Sequence, residues 1–402
     1  MDPVRVGHFI RDFVSPTETF VTNQIKFLSL GRKFEPVIFC KTSRENIADS
    51  DFQPTVLGNL LNPLSRKIDD LQYRYLRRLS RSGARAILGK IRSDDVRILH
   101  FHYLVDARYY LEVIKKAGVP AVVSGYGWDV SYFPRSFKGL GSYYLKPLIK
   151  YMDFILAMSK DMKKDLLTIG CPDNKIIVHY HGIDTRRFDY PQRSYDREEP
   201  LTVLFCGRLT PKKGPHILLK ALKHIREKEL SHCPFRARLV GGGPMRERLE
   251  GLVLKNKLED IVDLAGYIPH NDPRLLAEYR EADIFVLPSL IVRDTRTGNF
   301  DKEGIPGTLI EALASGLPAV STYHAGIPEV IETNRNGLLV NEGDEEELAH
   351  RIADLLNDKN LRERLGRTAR ESARKLDVRT KTGELEDIYG RAMSQKQSEG
   401  TL

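Results

Sequence analysis

Cysteine is scarce in this chain, and the few cysteines lie far apart. The 402 residues include four, Cys40, Cys171, Cys206 and Cys233, with no C-x-x-C spacing. This pattern argues against a disulfide framework and against a thiolate zinc site, both of which use closely spaced cysteines. We therefore expect a protein of the reducing cytoplasm.

Long apolar runs are also absent. No stretch approaches the roughly 18 consecutive apolar residues of a membrane-spanning helix. The first apolar segment, beginning at Val4, is interrupted by Arg5, His8 and Arg11, so it does not resemble a secretory signal peptide. The sequence predicts a chain that neither crosses a membrane nor is secreted by the usual route.

The composition shows no low-complexity bias. Hydrophobic residues make up 41% and charged residues 29%, ordinary values for globular proteins, and the length predicts two domains. Residues 1–195 hold 31 Lys and Arg against 20 Asp and Glu, a net charge of +11. Because the whole chain carries +9, the remainder carries −2. The two halves are therefore expected to meet different partners.

Apolar strand-like runs alternate with helical patterns in both halves, which predicts parallel sheets covered by helices on both faces. The runs of the first half are residues 4–10, 36–40, 98–102, 121–124, 154–158 and 176–179. Those of the second half are residues 201–207, 237–240, 262–264, 284–287, 319–321 and 337–340. The predicted fold class is α/β, with two Rossmann-like doubly wound domains.

A polar stretch bounded by prolines, residues 189–200, has the composition of a linker. The predicted domains are therefore 1–188 and 201–375. We expect the helical segment 376–402 to pack back on the first domain. Ligands of doubly wound sheets bind beyond the carboxyl ends of the strands, so the loops at those ends are the places to look for chemistry.

The first such loop follows the strand at residues 201–207. Gly207 permits a tight exit from the strand, and Arg208 and Lys213 place two cations at its carboxyl end. Arginine binds phosphate through paired hydrogen bonds, so a diphosphate is the natural ligand. The alternative is a solvated basic loop.

A second loop contains three consecutive glycines after the strand at residues 237–240. Gly242 and Gly243 allow the backbone to approach a ligand closely, although a simple tight turn explains them equally well. No G-x-G-x-x-G motif with a downstream acid is present, which argues against a dinucleotide-binding dehydrogenase.

The segment 301–316 is the most informative part of the sequence. Pro306 suits a first helical turn and Gly316 a C-terminal cap, which predicts a helix from about Pro306 to Ser315. The amides at its N-terminus suit a phosphate. Glu303 and Glu311 beside a phosphate site are better explained as acceptors of sugar hydroxyl groups. Alternatively, Glu303 is solvated and Glu311 favours the helix dipole.

Together these motifs resemble the retaining glycosyltransferases of family four, which have the GT-B fold, two Rossmann-like domains facing a central cleft. The resemblance spans nearly the whole chain. Several motifs look most like the exopolysaccharide branch, which includes colanic-acid-type enzymes. The motifs that carry the resemblance are residues 15–20 (SPTETF), 181–184 (HGID), 207–214 (GRLTPKKG), 241–244 (GGGP), 303–311 (EGIPGTLIE) and 325–329 (AGIPE).

The resemblance implies a role for each matching position. Arg208 and Lys213 would hold the diphosphate and stabilise it as the leaving group, Glu303 would bind the donor sugar, and Glu311 the ribose. The remaining substrate-binding candidates come from the loops that cradle the β-phosphate, face the base or carry the N-terminal motif: Gly304, Ile305, Gly307, Thr308, Gly207, Gly242, Gly243, Ile268 and Thr17.

One motif departs from the family pattern. Members often carry Thr-x-His-Gly-x-Asp in the first domain, with its histidine on the donor sugar, whereas residues 124–129 read SGYGWD. Tyr126 occupies the histidine position and can donate a hydrogen bond, but it does not become a cation near neutral pH. Asp129 completes the motif, and Tyr126 and Asp129 are both substrate-binding candidates. His102 could contribute instead, or be a structural histidine.

The first half also contains two basic stretches with interspersed aromatics, residues 66–81 and 135–150. These suit an anionic membrane surface or a lipid diphosphate acceptor, with a solvated helix face as the alternative. The high isoelectric point also raises nucleic-acid binding, but no binding module is visible, so no nucleic-acid partner is expected.

The predicted protein is a cytoplasmic, peripherally membrane-associated glycosyltransferase. It transfers a sugar from a nucleotide-sugar donor, UDP-sugar in preference to GDP-sugar, to a glycan, glycolipid or lipid-linked hydroxyl. Two cations and a helix dipole already neutralise the phosphates, so we expect no metal and no cofactor. The alternative is a catalytically inactive membrane-bound scaffold or nucleotide-sugar-binding protein of the same fold.

Overall fold

The computed structural model describes residues 2–13, 19–43, 52–136, 139–190, 193–196, 200–294 and 299–400. The chain divides into two compact units. The first contains residues 1–182 together with 378–402, and the second contains residues 183–377.

The first unit is built on a seven-stranded parallel sheet in the order β3-β2-β1-β4-β5-β6-β7. Its strands are β1 (Val4–Phe13), β2 (Phe34–Ser43), β3 (Thr55–Val56), β4 (Val96–His102), β5 (Ala121–Gly125), β6 (Phe154–Ala157) and β7 (Ile176–Val178). The central strands form because they are short apolar runs buried on both faces, as helix-covered parallel sheets require. Val122 and Ile155 show this burial, since neither is exposed at all.

Helices connect these strands. They are α1 (Thr19–Leu30), α2 (Pro63–Leu76), α3 (Arg81–Ser93), α4 (Leu104–Tyr109), α5 (Leu111–Ala117), α6 (Trp128–Ser131), α7 (Leu140–Tyr151) and α8 (Lys160–Thr168). Three of them begin at a side-chain cap, because Asn62, Ser80 and Ser159 each accept a hydrogen bond from an amide in the first helical turn.

The second unit contains a six-stranded parallel sheet in the order β10-β9-β8-β11-β14-β15. The strands are β8 (Leu201–Cys206), β9 (Phe235–Val240), β10 (Val262–Gly266), β11 (Ile284–Leu287), β14 (Ala319–Thr322) and β15 (Leu338–Val340). A separate antiparallel pair is formed by β12 (Val292–Arg293) and β13 (Phe300–Asp301). In the large sheet the strand order reverses direction at β8, which is the usual ligand-binding position in doubly wound folds.

The helices of the second unit are α9 (Pro215–Glu227), α10 (Arg246–Lys255), α11 (Pro273–Glu281), α12 (Gly307–Ala314), α13 (Glu345–Asn357) and α14 (Lys359–Ala373). Helix α12 agrees with the helix predicted from Pro306 and Gly316. It begins after Pro306, which is its N-cap residue, and Gly316 lies two residues beyond its end.

The last helix, α15 (Val378–Gly400), belongs to the first unit. It buries Leu385 and Tyr389 in the core of that unit, and the Tyr389 hydroxyl forms a hydrogen bond with Nδ1 of His100 at 2.6 Å.

The boundaries of the units differ from those expected from composition. The first unit ends at Gly182 rather than at residue 188. The described part of the expected linker belongs to the second unit. Arg193 there donates hydrogen bonds to the backbone carbonyls of Ser315 at 2.7 Å and Ala282 at 2.6 Å. The polar composition of this stretch predicts a linker, but its arginine binds the backbone carbonyls of the residues that end helices α12 and α11.

All twelve predicted strands are present, whereas β3, β12 and β13 were not predicted, because two residues are too few to show a hydrophobic period. Within the part of the chain that the structure describes, no helix is both long and apolar enough to cross a membrane.

Candidate active site

The candidate site lies at the carboxyl end of the second sheet, where the loops after β8, β9 and β11 begin. Strands β8 and β11 are adjacent, and β8 also pairs with β9. The loops that contain Arg208 and Lys213, the three glycines, and the segment before α12 all start from this edge.

The three-glycine loop packs backbone to backbone against the loop after β8. The Leu209 amide donates to the Gly242 carbonyl at 2.9 Å. Gly241 and Gly243 have φ angles of +153° and +155°, and a Cβ atom would lie 1.8 Å from the Gly207 carbonyl oxygen and 2.5 Å from that of Leu209, respectively. Close contact with the neighbouring loop therefore explains Gly241 and Gly243, and ligand contacts at Gly242 and Gly243 stay predictions.

Two ion pairs join the loop after β8 to the segment before α12. Lys213 Nζ lies 2.7 Å from Glu303 Oε2, and Lys212 Nζ lies 2.8 Å from Asp301 Oδ2. The sequence assigned Lys213 to the diphosphate and Glu303 to the sugar. In this structure the two residues form an ion pair, so the positive charge of Lys213 is next to the Glu303 carboxylate.

The Glu303 carboxylate is buried and ionised. Burial alone would raise its pKa, but the positive charges of Lys213 and Lys212 outweigh that effect, and the net pKa lies below the ordinary value for glutamate. The carboxylate is therefore a fixed negative charge at neutral pH, able to accept hydrogen bonds but not to donate them.

Several buried oxygens around this loop have no hydrogen-bond partner among the residues the structure describes. They are Glu303 Oε1, Asp301 Oδ1, Thr308 Oγ1 and Thr210 Oγ1. A buried polar atom left unpaired costs about 1–3 kcal/mol. Their concentration at one sheet edge fits a polar ligand that would pair with them.

Helix α12 supplies the amides expected of a phosphate cradle. The amides of Gly307 and Thr308 lie in its first turn, where backbone N–H groups have no partner within the helix. Gly304 and Ile305 are buried just before the helix. Binding of phosphate by these four residues remains a prediction.

Glu311 lies on the buried side of α12 and is already bound by two side chains. His270 Nε2 donates to Glu311 Oε1 at 3.0 Å, and the Tyr279 hydroxyl donates to Oε2 at 2.7 Å. A carboxylate has about four lone-pair positions, so ribose hydroxyls could still be accepted. The helix-dipole explanation of Glu311 did not anticipate these contacts, and ribose binding by Glu311 stays a prediction.

Two other predicted site residues of this unit, Arg208 and Ile268, are more exposed. The Arg208 guanidinium is exposed, and no ion pair or hydrogen bond joins it to another residue in the described ranges. Ile268 is half-buried beside Tyr267, which is 60% exposed. Without a partner among the described residues, this cation at the carboxyl end of the sheet is available to an anionic ligand.

In the first unit, Tyr126 is linked to a buried pair of histidines. Its hydroxyl forms a hydrogen bond with His102 Nδ1 at 2.7 Å, and His102 Nε2 lies 3.2 Å from His8 Nδ1. His102 is fully buried, so the structural explanation describes its position here. Thr17 lies outside the described residues.

Asp129 is also fully buried, and its carboxylate accepts hydrogen bonds from two backbone amides. Leu104 donates at 2.8 Å and Tyr126 at 3.0 Å. Burial raises the pKa of Asp129 to about 6 against the effect of these amides. The carboxylate thus shapes the loop that carries Tyr126, and a substrate contact of Asp129 stays a prediction.

His8, His100 and His102 form a group whose ring nitrogens lie within 4.8 Å of one another, close enough to raise the question of a metal site. Burial lowers the pKa of His8 to about 3 and lowers those of His100 and His102, so all three are neutral. However, His100 and His102 are stacked and bonded to hydroxyl groups. Hydrogen bonds occupy both ring nitrogens of His100 and His102, whereas the buried His8 Nε2 has no partner among the described residues.

Sequence reasoning missed three residues that contact the two glutamates. Tyr279 and His270 hold Glu311, and His324 accepts a hydrogen bond from the Glu303 amide. His324 could have been found, because it follows a predicted strand and directly precedes the 325–329 motif. Tyr279 gives no such signal, since it lies within an ordinary amphipathic helix.

Two units that each contain a helix-covered parallel sheet, with carboxylates and cations where the strand order of the second sheet reverses, are features of the GT-B class of glycosyltransferases. The fold resembles that of Anabaena Alr3699/HepE, solved in complex with UDP, with a TM-score of 0.75 over 96% of this chain and 100% of that chain. The sequence identity is 16%. The likeness shows the shared fold.

Sequence comparisons give the family. The Glycosyltransferase Family 4 domain matches residues 17–187, and the Glycosyl transferases group 1 domain matches residues 187–372. WcaL of Escherichia coli, named as a colanic acid biosynthesis glycosyltransferase, is 32% identical over 87% of this chain and 90% of its own length. AmsK of Erwinia amylovora, an amylovoran biosynthesis glycosyltransferase, is 30% identical over 86% and 89%.

The chain therefore belongs to the family 4 glycosyltransferases. Membership of family 4 and the GT-B fold are confirmed, and so is the resemblance to the exopolysaccharide branch, because relatives of that type align over most of their length. Retention at the anomeric carbon stays a prediction.

Proposed function

We propose that this chain transfers a sugar from a nucleoside diphosphate sugar to a hydroxyl group of a glycan or lipid-linked acceptor in exopolysaccharide synthesis, with retention at the anomeric carbon. The names of WcaL and AmsK support the polysaccharide pathway. UDP-sugar is the preferred donor because Anabaena Alr3699/HepE was solved with UDP, and GDP-sugar is the alternative.

The observation that carries the proposal is the buried Glu303 carboxylate. One of its oxygens is held by Lys213 at 2.7 Å, and the other has no partner within the described residues. An ionised carboxylate with one oxygen left over is suited to accept sugar hydroxyl groups. Because it lies four residues before the α12 N-terminus, the same loop can hold sugar and phosphate.

Transfer breaks the bond between the anomeric carbon and the diphosphate oxygen, so negative charge grows on the leaving group. Arg208, Lys213 and the first amides of α12 are proposed to stabilise this charge, which makes them catalytic rather than merely binding groups. These groups also make a metal unnecessary in the proposed reaction.

Retention is proposed to follow from attack on the face that the leaving group vacates. The acceptor oxygen forms the new bond to the anomeric carbon, and its proton passes to the departing diphosphate. No side chain of the second unit is assigned as a covalent nucleophile. Glu303 would instead hold the sugar while positive charge develops on its ring.

Donor binding can be tested by thermal shift with UDP, GDP and the corresponding sugars in buffer containing EDTA. A ligand that binds the native state stabilises it by RT ln(1 + [L]/Kd). We expect UDP to raise the unfolding temperature, and Glu311→Ala to weaken UDP binding by about tenfold, the effect of roughly one strong hydrogen bond.

Glu332→Ala is the matched control, because Glu332 is exposed and pairs only with Arg335 among the described residues. It should bind UDP like the unchanged protein. If no nucleotide stabilises the protein unless magnesium or manganese is added, the metal-free proposal is wrong. If nucleotides bind but UDP-glucose and GDP-mannose are never turned over with any glycan acceptor, the chain is a binding protein.

We also propose that the first unit binds an anionic membrane surface through α2. Leu64, Ile68 and Leu71 are 70%, 42% and 55% exposed and recur at a spacing that places them on one side of the helix. The polar Asp69 faces inward instead, where its carboxylate accepts hydrogen bonds from the Ser80 amide and the Tyr109 hydroxyl. An apolar stripe turned outward is unusual for a helix on a globular surface.

Exposed cations lie on the same helix or just after it. Arg66, Lys67, Arg77 and Arg78 are exposed on or just after α2. The Tyr144 hydroxyl of α7 donates to the Arg77 carbonyl at 3.1 Å, and Tyr143 beside it is exposed. Exposed apolar side chains on a helix that also carries lysine and arginine fit the interface of an anionic bilayer, where each cation contributes about 1 kcal/mol.

The triple variant Leu64→Ser, Ile68→Ser and Leu71→Ser is expected to abolish co-sedimentation with phosphatidylglycerol vesicles. Binding by the unchanged protein should be absent on phosphatidylcholine vesicles and lost at 1 M salt, where the Debye length is only ~3 Å. Leu254→Ser is the control, since Leu254 is equally exposed but lies on α10 of the second unit. Unchanged binding of the triple variant would leave α2 as a solvated face.

A further inference from the structure

His324 is a fully buried imidazole placed at the carboxyl end of β14, beside the loop that carries Glu303. Its Nε2 accepts a hydrogen bond from the Glu303 amide at 3.2 Å, and its Nδ1 donates to Glu342 Oε1 at 2.8 Å. A backbone amide can only donate, and an ionised carboxylate can only accept. The two partners therefore fix His324 as the neutral tautomer with its hydrogen on Nδ1.

A second contact joins the same two segments. The Gly326 amide donates to the Gly304 carbonyl at 3.3 Å, so the turn 324–326 holds the loop 303–304 at two consecutive residues. Between these contacts Ala325 has a φ angle of +44°, in the left-handed region that residues other than glycine rarely adopt. This backbone conformation brings the His324 ring and the Gly326 amide to the same loop.

Glu342 anchors the other side of the imidazole. It lies two residues after β15, and its Oε2 accepts a hydrogen bond from the Ile291 amide at 2.7 Å. Burial would raise the pKa of Glu342, but the bonds from His324 and Ile291 outweigh it, so the net pKa is lowered and the carboxylate is ionised. The ends of β11, β14 and β15 are thus connected through His324 to the Glu303 amide.

We propose that His324 is a positioning residue that fixes the backbone of Glu303, so that the Glu303 carboxylate stays against Lys213 with one oxygen directed to the donor sugar. This inference rests on the proposed function of Glu303. His324 itself touches no substrate in this assignment. Its buried ring links the Glu303 amide, a donor, to the Glu342 carboxylate, an acceptor on the segment after β15.

Two variants separate the two bonds of the imidazole. In His324→Gln the longer side chain places its carbonyl oxygen near the former Nε2 position and can accept from the Glu303 amide. In His324→Asn the shorter side chain keeps a donor near the former Nδ1 position for Glu342 but leaves the Glu303 amide without its acceptor. His350→Asn is the control, because His350 is exposed on α13 of the same unit.

Hydrogen exchange of the peptide that contains residues 302–309 measures the Glu303 contact without any substrate. We expect faster exchange in His324→Asn, by about tenfold or more, and near-normal exchange in His324→Gln and His350→Asn. In parallel, kcat for UDP release from UDP-glucose, or for GDP release if GDP-mannose is the donor, should fall about tenfold in His324→Asn. KM for the donor should change less than about threefold, and His324→Gln should restore most of kcat.

Normal exchange and normal kcat in His324→Asn would overturn the proposal. So would a kcat loss that simply follows a lowered unfolding temperature in both variants, because that outcome indicates general destabilisation. Failure of the proposed function is recognised separately, because either the unchanged protein then turns over no donor or Glu303→Ala turns it over normally. If turnover is lost in Glu303→Ala but stays normal in His324→Asn, only the positioning role of His324 is rejected.

Discussion

Replacing Glu303 with alanine is expected to lower turnover by about a hundredfold or more, while the dissociation constant of UDP changes little. Removing one preorganised polar group from an active site typically has an effect of this size. UDP contains no sugar beyond its ribose, so it does not use the proposed contact. The effect should therefore appear in kcat for the donor sugar rather than in nucleotide affinity.

Glu303→Gln makes this test sharper. The amide keeps nearly the same shape but has no charge, and its nitrogen cannot accept a hydrogen bond. We expect a loss close to that of Glu303→Ala if the sugar needs the ionised carboxylate. Glu332→Ala again serves as the control. Equal turnover in Glu303→Ala and the unchanged protein with saturating donor would show that the site is assigned wrongly.

The fold was predictable because its central strands are buried on both faces and therefore appear as continuous apolar runs. Ile284–Leu287 was predicted with the same limits that the structure shows for β11. Each loop with chemistry followed such a strand, so the strand pattern also located the candidate site. Pro306 and Gly316 then marked the helix whose N-terminus points to it.

The remaining features depend on contacts between residues far apart in the sequence. The Lys213–Glu303 pair joins residues 90 positions apart, and the Tyr279–Glu311 bond joins residues 32 apart. Neither residue type nor local spacing indicates which partners meet. Composition also failed at residues 193–196, where an arginine in a linker-like stretch satisfies backbone carbonyls of the second unit.

The Lys213–Glu303 pair changes what a substitution at Lys213 should do. Lys213→Met removes a cation proposed to stabilise the leaving group, so turnover should fall by about a hundredfold or more. It also leaves a buried carboxylate without its ion-pair partner, which is strongly destabilising in proteins, by about 3–5 kcal/mol. The variant should therefore lose both activity and stability at neutral pH.

Lys212→Met is the comparison, because Lys212 pairs with Asp301 rather than with Glu303. Its effects on activity and unfolding temperature should be much smaller. The double variant Lys213→Met with Glu303→Gln contains no unpaired carboxylate. It should recover stability relative to Lys213→Met while remaining inactive, which separates the structural consequence of the pair from the catalytic one.

The pH dependence gives a further test with a definite sign. In the unchanged protein the pKa of Glu303 lies below the ordinary value for glutamate. Its ionised form therefore stabilises the fold fully at a pH above that ordinary pKa. This stabilisation is lost as the pH falls through the lower pKa of the folded state. In Lys213→Met the effect of burial is no longer opposed by Lys213, and the pKa of Glu303 should rise above the ordinary value. The contribution then reverses, because the folded protein binds the proton more tightly than the unfolded chain.

Unfolding temperatures measured from pH 5 to pH 8 should therefore fall with rising pH in Lys213→Met relative to the unchanged protein, and this difference should disappear in the double variant. A constant difference across the range would mean that Lys213 does not control the ionisation of Glu303.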